Sequence, residues 1–319
     1  MIVTTLEGVP AAATGPREVG DTGVVVSPIG LDGAVFGWAS GIDDTAALLD
    51  LYASSGGNFV TTSDHYAGGR SEIMIGSWLQ TVRDRGNVIL ATRIGRHPDA
   101  VGLSRRSILR AVENSLARLG TDYVDFLSFD TEDPAVPIEE SLETAAELIR
   151  QGKIRFLGAT GFRAETITDG SAKAAEAGVP GFRAIFVEYN LMRRAHYEDE
   201  LQPIATGLGR GAFARLPLAS GYLTGQFRSR EDVPQTQLFE GAKEHVGRRG
   251  SRILDALDTV ARELDQPPAL VALAWVLLKP GIAGTILRVK DAAQLEQILG
   301  ATDVRLARHH VALLDKVSA

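Results

Sequence analysis

Eight parallel strands alternating with helices and closed into a (β/α)8 TIM barrel, an α/β fold, is the architecture this sequence predicts. A long loop after the seventh strand and helices at the C-terminal end complete the expectation. Three observations predict it. Short β-branched or apolar runs recur along the chain, each followed by a stretch of helical periodicity, which is the mark of βα units. Runs such as VILATRI and VDFLSF are apolar almost without interruption, as strands covered on both faces require. The length of 319 residues exceeds a common domain but suits such a barrel as one unit.

In chain order, strands are expected at residues 26–31, 58–62, 88–94, 124–129, 155–160, 184–189, 211–216 and 284–289. The helices between them carry start and stop signals. Ser104 precedes a segment in which Ile108, Val112, Leu116 and Leu119 form one apolar stripe, and Gly120 closes it. Residues 139–151 form a second such helix, ending at Gly152. Residues 219–250, rich in Gly, Arg and polar types, lack apolar periodicity and are expected to cover the barrel mouth. Residues 1–16 are expected to be a flexible extension, and 17–319 a single barrel.

Composition excludes several functions. With 33 basic and 40 acidic residues the formal charge is -7, without a basic stripe, which argues against nucleic acid as a partner. The chain has no cysteine, so disulfides and thiolate chemistry are excluded and a structural zinc site is disfavoured; no metal is expected. No secretory leader or membrane-length apolar run is evident, and a cytoplasmic location is expected, with no membrane partner. His309 and His310 read as surface residues, Glu188 as a structural carboxylate, and Arg248 and Arg249 as a helix flank or an anion contact.

In barrels of this kind the chemistry sits at the C-terminal strand ends. That rule selects Asp32, Thr61, Tyr66, Arg93, Asp130, Thr160, Phe186, Arg215 and Arg288. Arg93 and Asp130, at adjacent strand ends, have two readings: acid–base groups facing a substrate, or a buried ion pair that fills a vacated site. His65, beside Tyr66, is a further acid–base candidate if it faces the pocket rather than solvent.

The segments NFVTTSDHYAGGRSE, GLSRRSILRAVENSLARLGTDYVDF, LIRQGKIRFLGATGF, VEYNLMRR and PLASGYLTGQFR, in this order and spacing, resemble the aldo-keto reductases over nearly the whole chain. The resemblance implies a barrel that reduces carbonyls with NADPH through Asp, Tyr, Lys and His. Tyr66 stands at the tyrosine position, but Thr61, Arg93 and Asp130 stand at the other three. It also implies that Thr160, Gly161 and Phe186 occupy the places of the nicotinamide carboxamide's partners, and Arg215 that of the ring-stacking residue. GLDG in the first strand loop puts Asp32 near the expected pyrophosphate or ribose. Arg288, Lys290 and Gln294 match the 2′-phosphate and adenine side, where the adenine-binding Asn is Ile298.

These replacements favour an enzyme repurposed for non-redox acid–base chemistry, of lyase, isomerase or cyclase type, on a small oxygenated substrate, with NADPH absent or weakly bound. Two alternatives remain at this stage. One is an NADPH-dependent carbonyl reductase with Tyr66 as the acid and Arg93 in place of Lys; the other is a non-catalytic binding protein on the same barrel. The sequence leaves the oligomeric state open.

Overall fold

The structure, a computed structural model, describes residues 15–319, so most of the extension expected at residues 1–16 lies outside it. The described chain opens with a small antiparallel hairpin, Arg17–Glu18 (β1) paired with Val25–Val26 (β2). Eight parallel strands then close into a barrel: Ile29–Asp32 (β3), Phe59–Thr61 (β4), Ile89–Ile94 (β5), Val124–Asp130 (β6), Ile154–Thr160 (β7), Phe182–Glu188 (β8), Gly211–Arg215 (β9) and Ile282–Leu287 (β10). Every expected strand is present. The first starts later than predicted because Val25 and Val26 pair in the hairpin instead.

Side chains of a strand alternate between its two faces, so every second residue points into the barrel. Phe59, Ala91, Phe126, Ala184, Phe186, Phe213 and Ile286 fill the interior together with Val19, Val24 and Val26, which bring the hairpin against its lower end. Phe213 stacks on Phe59 at 4.5 Å and on Phe186 at 5.1 Å between ring centroids. Gly30 is a glycine because a Cβ there would lie 2.6 Å from the Phe59 ring. Two residues further along the same strands the interior turns polar, with Asp32, Thr61, Arg93, Ser128 and Arg215 on the same face one layer higher.

Outside the barrel, a larger core joins the strands to helices such as Ile42–Ser54 (α1), Arg70–Leu79 (α2), Arg105–Leu119 (α3) and Ile138–Arg150 (α4). The α3 helix has the predicted caps: Ser104 Oγ accepts the Ser107 N–H, and Gly120 adopts the left-handed conformation, φ 60°. The α4 helix runs one residue earlier than expected and stops before Gly152.

Two expectations are corrected. Residues 219–250 do not depend on apolar periodicity for anchorage, since Leu223, Phe227, Val233 and Ala242 are buried in the main core and Arg228 pairs with Asp258 at 2.8 Å. His310 is buried, not a surface residue: its Nδ1 accepts the Ala307 N–H and its Nε2 lies 2.9 Å from Glu263. Arg248 and Arg249 open a helix, as the helix-flank reading has it, and Arg249 donates to the carbonyls of Met192 and Ser318.

Candidate active site

Arg93 is the centre of the upper layer. It is 1% exposed; its Nη1 donates to Thr61 Oγ1 at 3.3 Å and its Nη2 to the Tyr66 hydroxyl. Asp130 lies 3.9 Å from its Nε and Asp32 4.0 Å from its Nη2. Burial draws the Arg93 pKa down, but the Tyr66 oxygen, Asp32 and Asp130 outweigh it, and the net direction is upward. The guanidinium is a fixed cation. Thr61, where the family has an acid, accepts a hydrogen bond from this cation but carries no charge to balance it.

The balancing charge comes from a different strand. Tyr66 sits on a short 3-10 turn after β4, and its hydroxyl donates to Asp32 Oδ2 at 3.3 Å. A continuous line therefore runs from Arg93 N–H to the Tyr66 oxygen and from the Tyr66 proton to the Asp32 carboxylate. The expectation that Asp32 faces a pyrophosphate or ribose is corrected: it is buried against Tyr66, Arg93 and Arg288, whose Nε is 3.7 Å away. The sequence signal was its place at the end of a strand, one of the positions the barrel rule selects.

Asp130 and Arg93 pair, the second of the two readings, and Arg96 adds a second guanidinium at 3.6 Å from Asp130. His65 lines the mouth cavity. Its Nδ1 is 2.8 Å from Ser63 Oγ and 4.0 Å from Asp130 Oδ2. Among the described residues six non-glycine residues have left-handed backbone, and three of them, Ala67, Thr131 and Leu216, directly follow Tyr66, Asp130 and Arg215. Such conformations cost energy and persist where the surroundings impose them, as at functional sites.

Two cavities meet here. One, of about 470 Å³, lies over Tyr66 and is lined by His65, Trp38, Leu238 and Arg288. The other, about 400 Å³, runs between the segment after β9 and the helix Ala292–Leu299 (α9), past Leu218, Ser220, Phe239, Lys290, Gln294 and Ile298. Arg288 and Leu238 line both, and the Arg288–Asp32 pair stands between the second cavity and the Tyr66 hydroxyl. Leu238 belongs to residues 219–250, so that segment does reach the mouth.

NADPH, the cofactor the fold implies, fits this chain at one end only. At the cleft end the Lys290 ammonium is more than half exposed, while Gln294 lends its side-chain carbonyl to the Lys290 N–H and keeps its amide N–H groups free of any recorded partner. At the other end the seat for a nicotinamide carboxamide is missing. The Thr160 hydroxyl is 1% exposed and bonded to Ser128 Oγ at 2.7 Å; Phe186 is buried in the ring stack, so close that a Cβ on Gly158 would lie 2.9 Å from it. Where a stacking ring would lie, Arg215 presents a guanidinium that makes no hydrogen bond or ion pair among the described residues. Burial and then the Arg93 charge hold the Arg215 pKa below its usual value, against Tyr66, Asp32 and Asp130.

Thus Tyr66, Arg93, Asp130, Thr61 and His65 converge at one end of the barrel, with Thr160 and Arg215 at strand ends of the same end, whereas Lys290 and Gln294 lie along the separate cleft. Asp32, Arg288, Ser128 and Arg96 complete the mouth. The first two were placed with a cofactor instead, and Ser128 and Arg96 carried no motif to single them out.

Comparison with known proteins agrees with the barrel fold. The sequence profile of the Aldo/keto reductase family matches residues 29–319. A probable voltage-gated potassium channel subunit beta of Oryza sativa subsp. japonica is 30% identical over 302 residues, covering 90% of this chain and 91% of the relative. Its counterpart in Arabidopsis thaliana is 29% identical over 304 residues, covering 90% and 91%. Among solved structures, a thermostable aldo-keto reductase in complex with the inhibitor epalrestat superposes with a TM-score of 0.78 at 24% identity, over 95% of this chain and 100% of that one.

Proposed function

The chain belongs to the aldo/keto reductase family, and from that premise we propose that it is an enzyme performing non-redox proton transfer at a carbonyl or hydroxyl of a small oxygenated substrate. Tyr66 gives its proton to the substrate carbonyl oxygen while Asp130, next to His65, takes one from the adjacent carbon; a C–H bond breaks, an O–H bond forms, and the resulting enol is the half-step of an isomerase. Arg93 holds the Tyr66 oxygen from one side and Asp32 accepts the hydrogen bond of its hydroxyl, while between turnovers Asp130 releases its proton to water and water restores that of Tyr66. The single observation that carries this reading is the Arg93–Tyr66–Asp32 line, complete without a cofactor, beside a nicotinamide seat filled by Phe186 and crossed by Arg288 and Asp32.

The experiment is exchange of substrate carbon-bound protons with deuterated water, followed by NMR on small oxo and hydroxy compounds without added cofactor. Exchange that disappears in Tyr66→Phe is expected. Turnover only with NADPH, or exchange undiminished in Tyr66→Phe, would contradict the proposal. One observation favours a second reading, NADPH-dependent carbonyl reduction with Tyr66 as acid: Lys290 and Gln294, at the positions the family resemblance gives to the 2′-phosphate and adenine side, line one cleft.

A further inference from the structure

We propose that the barrel mouth seats the carboxylate of an anionic substrate, with Arg215 as its principal partner and Arg93 and Arg288 beside it. The side chain of Arg215 is part-buried at the C-terminal end of β9, level with Ile286 of β10 and Glu188 of β8. Its nearest candidate partner in register, Glu188, turns instead toward Arg193, 3.8 Å away. Buried guanidinium Nε atoms of Arg93, Arg215 and Arg288 all lack a hydrogen-bond acceptor, whereas Asp32 Oδ1 and Asp64 Oδ1 are the unmatched carboxylate oxygens around them. Donors exceed acceptors there, and of these three guanidinium groups only Arg215 has no carboxylate within ion-pair distance among the described residues, since Arg93 has Asp32 and Asp130 and Arg288 has Asp32.

A buried cation without a partner is costly to keep, and a folded chain that keeps one at its active-site mouth has a ligand charge to meet it. A carboxylate matches the deficit. It is planar, accepts two parallel hydrogen bonds from a guanidinium fork, and brings one negative charge, where a phosphate dianion would overshoot. The cavity over Tyr66, about 470 Å³ and walled by Arg288, has room for a small acid whose reacting carbon lies toward Tyr66. This inference rests on the acid–base reading for what happens at the other end of the substrate, but the seat itself is tested by binding alone.

The test is calorimetric titration, paralleled by the fluorescence of Trp38 in the mouth cavity, with formate, acetate and pyruvate against the neutral pyruvamide and acetone and against inorganic phosphate. Wild type is expected to bind the carboxylates saturably, about tenfold or more tighter than the neutral probes, the margin of a charge-assisted hydrogen bond. Arg215→Leu should lose that margin, Arg215→Lys should recover part of it, and Tyr66→Phe should keep it. Arg215→Leu strands no partner, so its melting temperature should equal or exceed that of wild type, which separates lost binding from lost folding. No saturable carboxylate binding, equal binding of pyruvamide, a preference for phosphate, or unchanged binding by Arg215→Leu would each overturn the proposal. Carboxylate binding together with proton exchange surviving in Tyr66→Phe would instead refute the acid–base reading and leave the seat standing.

Discussion

The two levels of the barrel interior differ by two residues along each strand and in almost every physical respect. The lower level, Phe59, Phe126, Phe186 and Phe213, is a dry stack with nothing to satisfy except its own packing. The upper level, Asp32, Thr61, Arg93, Ser128 and Arg215, with Asp130 one step above Ser128, is polar and charged and held by long ion pairs, with several polar atoms unmatched. Left-handed Ala67, Thr131 and Leu216 sit at this upper level too. The lower level carries stability, and the upper level spends part of it on a preorganised polar site.

The sharpest way to break this contrast is to truncate within each level. Phe213→Ala should cost about 3–5 kcal/mol by chemical denaturation, because it opens a cavity at the centre of the stack. In the upper level, Arg93→Met should cost a comparable amount, about 3 kcal/mol or more, since it leaves Asp32 and Asp130 buried without their cation. A loss well below this for Arg93→Met would mean that the two carboxylates are adequately matched by Arg96 and Arg288 alone. Thr131→Gly, which relieves a β-branched residue at φ 82°, should raise stability by up to about 1 kcal/mol and lower any activity that depends on how Asp130 is aimed.

The smallest expected effect concerns His245, in the segment that reaches over the mouth. Burial, then the charges of Arg193 and Arg249 against Glu244, hold its pKa below the usual 6.5. Below that pH the unfolded chain takes up a proton that the folded chain refuses, so stability should fall as pH drops below about 6.5 and be restored as it rises. His245→Gln should flatten this part of the pH profile in thermal melts; an unchanged slope would assign it to other groups.

Much of the barrel was legible because its signals are local. Each strand announces itself as a short apolar run, and Ser104 and Gly120 mark a helix within a few residues of its ends. Tyr66, Arg93, Asp130 and Thr61 were legible as strand-end residues. Asp32 and Arg288 were seen as strand ends but given the wrong neighbours, since β3 and β10 become adjacent only when the barrel closes and no local pattern encodes that pairing. His310 was misplaced for a similar reason: its burial depends on the C-terminal helix, Arg308–Ser318, packing against the helix Arg248–Leu264. Residues 219–250 hid their anchors because Leu223, Phe227, Val233 and Ala242 dock individually and follow no period.

Calorimetric titration of the wild-type chain with NADPH tests the central claim most directly, namely that the upper level of this barrel has given up its nicotinamide seat. The two missing amide side chains alone, at about 0.5–1.5 kcal/mol net per hydrogen bond, weaken binding by about one to two orders of magnitude. The account predicts weak binding or none, with no fluorescence signature of a nicotinamide held beside Tyr66. Tight, saturable NADPH binding accompanied by reduction of simple aldehydes would contradict it.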